Sequence, residues 1–106
     1  MSRYEVVASA WRDIEDLYVY FAVESPPTAE RFLDRCRETF AWLADAPLAG
    51  RLWRGRSRTT RGIRVWHVAG FPNHLIFYRA RGGAIVILHV LGGARDIGPA
   101  LSRGAA

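Results

Sequence analysis

The stretch "HLIFYRARGGAIVILHVLGGARD", residues 74–96, decides how the chain folds. Residues 74–79 and 84–91 are short apolar runs rich in branched and aromatic side chains, and "RGG" between them marks a turn, so both runs read as strands. The second is apolar on both faces, as expected of a central strand. Its closing glycines let the chain leave the sheet with positive φ angles. Asp96 then stands where it can cap a short helix over residues 97–101, despite Gly98 and Pro99. Arg95 and Asp96 either brace this segment or, in the case of Arg95, meet a target.

Working outward, residues 63–68 form another strand, joined to 74–79 by a turn at "AGFPN". Arg64 and Trp66 alternate there with Ile63, Val65 and His67, which predicts one packed and one exposed face. Residues 3–8 read as the first strand. From Ser9, a candidate cap, the period changes: Ile14, Leu17, Tyr18 and Phe21 share one helical stripe, while Arg12, Asp13, Glu15 and Asp16 face elsewhere. "ESPPTAE" ends that helix, because Pro26 and Pro27 bring no backbone donors, and Pro27 suits the first turn of a second one. The second helix gathers Ala29, Phe32, Leu33, Cys36, Phe40 and Leu43 on one face, and "DAPLAGRLWRGRSRTTRG" ends helical order. The fold expected is α+β, in the order β-α-α-β-β-β, with an N-terminal helix hairpin packed on one face of an antiparallel sheet. Phe32, Leu33, Phe40 and Leu43 should then meet Ile76, Tyr78, Ile85 or Ile87.

The 106 residues, half of them hydrophobic, fit a single domain over 1–106, and a chain of this size buries roughly two thirds of its unfolded surface. No run approaches the roughly 20 apolar residues of a membrane span, and the N-terminus lacks a signal-peptide core, so a cytoplasmic protein without membrane association is expected. Every one of the 15 basic residues is arginine. Residues 1–50 carry five arginines against nine acids, and residues 51–106 carry ten against Asp96 alone, so the halves have opposite sign.

Cys36, the one cysteine, has helical spacing from Phe32 and Phe40 and reads as a core residue. His67, His74 and His89 fall on three different strands without the Cys, Asp or Glu spacing of a metal site, so neither a metal nor another cofactor is expected. Arg51, Arg54, Arg56, Arg58, Arg61 and Arg64 form the densest basic run, with Leu52 and Trp53 among them. Such a run is a solvated loop, a docking surface for an acidic partner, or a direct nucleic-acid contact. Trp53 is the tryptophan expected to be exposed; Trp11, Trp42 and Trp66 read as core.

Five segments in order, namely the short strand, the helix hairpin with proline in its turn, "LADAPLAGR", "FPNHLIFYR" and "ILHVLGGARD", closely resemble the ParE branch of the RelE/ParE toxin superfamily of bacterial toxin–antitoxin pairs. The resemblance covers about residues 4–101. It implies the same sheet-and-hairpin fold, a toxin held in a hetero-oligomer by a cognate acidic antitoxin, and DNA gyrase as target, with no established chemistry. RelE-like members instead cut ribosome-bound mRNA. On that pattern Arg64, His74 and Arg95 would be the catalytic candidates, Arg95 falling where those enzymes hold a phosphate after the last strand. The position of their catalytic tyrosine, however, is Leu101, which can neither take nor give a proton. Arg51, Trp53, Arg54, Arg56, Arg58, Arg61, Arg64, Arg79 and Arg95 are the expected contacts with target or antitoxin. The acidic antitoxin segment is expected to fold on an open sheet edge as it binds. A third reading is a degenerate toxin fold kept only to bind its antitoxin.

Overall fold

A computed structural model describes residues 3–53 and 58–92. The chain runs β1 (Tyr4–Val6), α1 (Ala8–Glu24), α2 (Pro26–Asp45), β2 (Arg51–Leu52), a 3-10 turn at Arg58–Thr60, β3 (Arg64–Val68), β4 (Phe71–Arg81) and β5 (Ala84–Gly92). The hairpin of β4 and β5 turns on Gly82 and Gly83, whose φ angles of 46° and 81° are ones that glycine adopts without strain. Arg81 pairs with Ala84 and His74 with Gly92, and a register shift between Phe77 and Tyr78 leaves Leu88 as the extra residue of β5.

The sheet order is β1-β5-β4-β3-β2. The α+β class and the order of elements are as expected, with two differences. β1 pairs with β5 in parallel, through Tyr4–Ile85, Glu5–Val86 and Val6–Ile87, so the sheet is mixed and not wholly antiparallel. Arg51–Leu52 adds a short fifth strand on the far edge. β5 is interior and buried on both faces, but the middle strand is β4. Strand direction is not written in the apolar pattern of a three-residue strand; it follows from where the helix hairpin lets the chain return.

β1 is too short to cover β5, and α1 completes the job. Beyond Ile87, the Ser9 hydroxyl donates to the Leu88 carbonyl at 2.9 Å, and Asp13 Oδ2 accepts the Val90 amide at 3.0 Å. Side chains of a helix thereby replace a missing strand. Ser9 is for this reason not the cap: α1 begins at Ala8, and its N-cap Val7 gives no side-chain bond. α2 does have a side-chain cap, since Ser25 accepts the Thr28 amide and two prolines open the helix. The Tyr18 hydroxyl donates to Glu30 and ties the two helices together.

Two apolar clusters form. Ile14, Phe32, Cys36, Phe40 and Leu43 of the helices meet Val68, Ile76, Tyr78, Ile85, Ile87 and Val90 on one face of the sheet, as expected. The other face is not open as expected: Ile63, Val65, Phe77, Leu88 and Leu91 are buried there, with Trp53, Leu75 and Val86 packed against them. Trp53 carries the β2–β3 ladder one residue further, its amide bonded to the Ile63 carbonyl at 2.7 Å, and its side chain packs on this face. Trp53 is consequently half-buried, edge-on to Phe77, whereas Trp11 and Trp42 are the exposed tryptophans. His67 is exposed and stacked on Trp66, whereas Val68 after it is buried in the helix-side cluster. Among the described residues no helix is long and apolar enough to cross a membrane.

Candidate functional site

The loop after α2 is fastened to the sheet by one phenol. Tyr78 is fully buried; its hydroxyl donates to the Pro47 carbonyl and accepts the Gly50 amide, both at 2.9 Å. A Cβ on Gly50 would stand 2.6 Å from that hydroxyl and 2.9 Å from the Val65 carbonyl, so only glycine lets the loop approach. Arg64 Nη1 donates to the Gly50 carbonyl at 2.7 Å and more weakly to that of Leu48. Burial raises the pKa of Tyr78, against the opposing pull of the Gly50 amide and the Arg64 charge. "LADAPLAGR" and "FPNHLIFYR" are thus two halves of one contact, which delivers β2 to the sheet edge and starts the basic run.

Among the described residues of that run, Arg51 lies on the face away from the helices, whereas Arg64 pairs with Tyr78 on the helix side. Arg51 pairs with Val65, and Val65 with Phe77, so Arg51 shares the side of the sheet that carries the second cluster. Arg79, two residues beyond Phe77, is half-buried on the same side and donates Nη2 to the Thr59 carbonyl, which pins the 3-10 turn over the sheet. Its Nε is buried without a partner. Arg58, Arg61 and Arg81 are exposed around it. Arg54, Arg56 and Arg95, with Asp96, Leu101 and the helix expected at 97–101, lie outside the described residues.

His74 lies on the opposite face, beside the rings of Phe21 and Phe32 at 5.2 and 5.5 Å between centroids. Burial lowers its pKa, favouring the neutral imidazole. It lines a cleft of about 850 Å³ between α1 and the ends of β4 and β5, together with Asp13, Asp16, Tyr20 and Leu91. Arg64 pairs with Tyr78, four residues along β4 from His74, which places the two about 13 Å apart along the strand. The structure therefore does not bring Arg64 and His74 to one scissile bond.

One polar arrangement escaped the sequence reading. His89 Nδ1 lies 2.8 Å from Asp13 Oδ2, and its buried Nε2 has no partner. The helical period sets Asp13 off the apolar stripe of α1, yet its spacing of four from Ser9 puts both on the turn that meets β5, and that spacing is the signal the sequence offers. Cys36 is buried, and that burial pushes its thiol up to about 12, well away from thiolate chemistry. Among the described residues no group of three His, Cys, Asp or Glu side chains is placed to hold a metal ion.

The family model for the ParE toxin of the type II toxin–antitoxin system, parDE, matches residues 4–97. No curated protein matches the sequence. Among solved structures, a chain of the chromosomal ParDE TA system from P. aeruginosa superposes with a TM-score of 0.70 at 20% identity, covering 87% of this chain and 96% of that one.

Proposed function

The chain belongs to the ParE toxin family of type II toxin–antitoxin systems, and from that premise we propose that it inhibits DNA gyrase by binding and is neutralised by a cognate acidic antitoxin in a hetero-oligomer. The observation that carries the binding reading is the separation of Arg64 from His74. Metal-free cleavage of RNA needs a phosphate clamp and a proton-transfer group at the same few ångströms. Here Arg64 is spent on loop carbonyls, and His74 is set among aromatic rings about 13 Å along the strand. An antitoxin segment with acidic side chains is complementary to the sheet layer, and opposite charge speeds such an encounter more than it tightens it. The edge strand β2, only two residues long, offers unpaired backbone groups to such a segment.

The test is supercoiling of relaxed plasmid by purified gyrase. The toxin should inhibit it, and the product of the adjacent reading frame, added in equal amount, should restore it. Unimpaired supercoiling at toxin concentrations that saturate the antitoxin would refute gyrase as target and favour a fold kept for antitoxin binding alone.

A further inference from the structure

The charge of this molecule is sorted by layer. Eight of the nine described carboxylates lie on α1 and α2, leaving only Glu5 on the sheet. Between Asp45 and Asp96 the sequence holds nine arginines and no acid. Among the described residues the ion pairs between arginine and carboxylate, Arg35–Glu38 and Arg37–Asp34, are both within α2. Among the described residues none of Arg51, Arg58, Arg61, Arg79 and Arg81 has a carboxylate partner. A surface that carries so many unpaired cations of one sign raises its own folding cost by self-repulsion, which a bound polyanion relieves.

We propose that the sheet face bearing Arg51, Arg58, Arg61, Arg79 and Arg81 docks on the phosphate backbone of duplex DNA, so that the toxin touches nucleic acid directly in addition to any protein target. Three features favour a duplex over other anions. The arginines repeat at short intervals, Arg79 and Arg81 lying about 7 Å apart on one side of one strand, and a duplex presents a charge about every 1.7 Å of its axis. Their planar forks bind phosphate oxygens in pairs. The face offers little to unstacked bases, because Trp53 is half-buried with its ring against Phe77 and the His67 imidazole is already stacked on Trp66. An acidic peptide would draw chiefly on backbone pairing at the edge strand β2, of which only Arg51 belongs to this face.

The proposal is independent of the gyrase reading, since it is measured with gyrase absent. Full-length toxin is titrated into a labelled mixed-sequence duplex, a single-stranded oligonucleotide and an acidic peptide, each over a range of salt, with fluorescence anisotropy as readout. The duplex should bind most tightly, and its log affinity should fall with log salt at a slope of about −3.6, or −0.9 for each of four phosphate contacts by Arg51, Arg58, Arg61 and Arg81, Arg79 being held by the Thr59 carbonyl. Arg58→Ala, Arg61→Ala and Arg81→Ala should each weaken duplex binding at every sequence and reduce the slope by about 1, whereas Arg12→Ala on α1 should leave both unchanged. Unaltered melting temperatures of these exposed-site variants exclude misfolding as the cause. Absence of duplex binding at low salt, equal loss from Arg12→Ala, tighter binding of the single strand, or tighter binding of the acidic peptide through the same arginines would each overturn the assignment.

Discussion

Tyr78 holds more of this structure than its size suggests, because its hydroxyl satisfies one donor and one acceptor of a loop that has no regular partner. In Tyr78→Phe the Gly50 amide and the Pro47 carbonyl lose that partner in a buried setting, and thermal or urea unfolding should show a loss of about 1–3 kcal/mol. Gly50→Ala should cost more, because the added carbon meets backbone as well as the phenol; equal melting temperatures for either variant and the parent would refute the contact. His74 gives a pH signature. Burial lowers its pKa below the ordinary 6.5, so between the two values the unfolded chain binds more protons than the folded one. Stability from this group is therefore constant above about pH 6.5, declines as pH falls below it, and levels off once the folded pKa is passed. His74→Gln should flatten that part of the stability profile; an unchanged profile would show that the imidazole is solvated.

At the scale of elements, α2 is held by a single apolar face. Phe40, 1% exposed and packed beside Tyr4 with ring centroids 5.5 Å apart, is among the largest side chains of the core. Phe40→Ala should cost about 3–5 kcal/mol, against a negligible shift for an exposed control on the same helix, Asp34→Ala. Both helices, the β4–β5 hairpin and the core residues of α2 were legible in the sequence because each rests on a local period or a turn signal. The parallel pairing of β1 was not, since a three-residue strand has no pattern that encodes direction. Nor was the second buried face. Trp53 sits among arginines and reads as exposed until its contact with Phe77, 24 residues on in sequence, is known. In the same way the Asp13–His89 contact, 76 residues apart, had only a helical spacing to announce it.

Over the whole molecule, an acidic helix layer backs a basic sheet layer, and the separation was already visible in the opposite charges of the two halves of the sequence. What the sequence did not show is that Arg64 and Arg79 divide their forks between surface and structure, bonding to the carbonyls of Gly50 and Thr59. This division bears on the central claim that the toxin binds its target and does not cleave RNA, because a guanidinium committed to a loop carbonyl is not free to clamp a scissile phosphate. Losing a single positioned acid–base group typically forfeits about 10²–10⁴ in rate. The most direct measurement is primer extension across translated messages in cells expressing the toxin without antitoxin, run beside the topology of a reporter plasmid from the same cells. The account predicts messages without new codon-phased ends and a plasmid that has lost negative supercoils. Antitoxin-sensitive cuts within codons, with plasmid supercoiling unaltered, would contradict it.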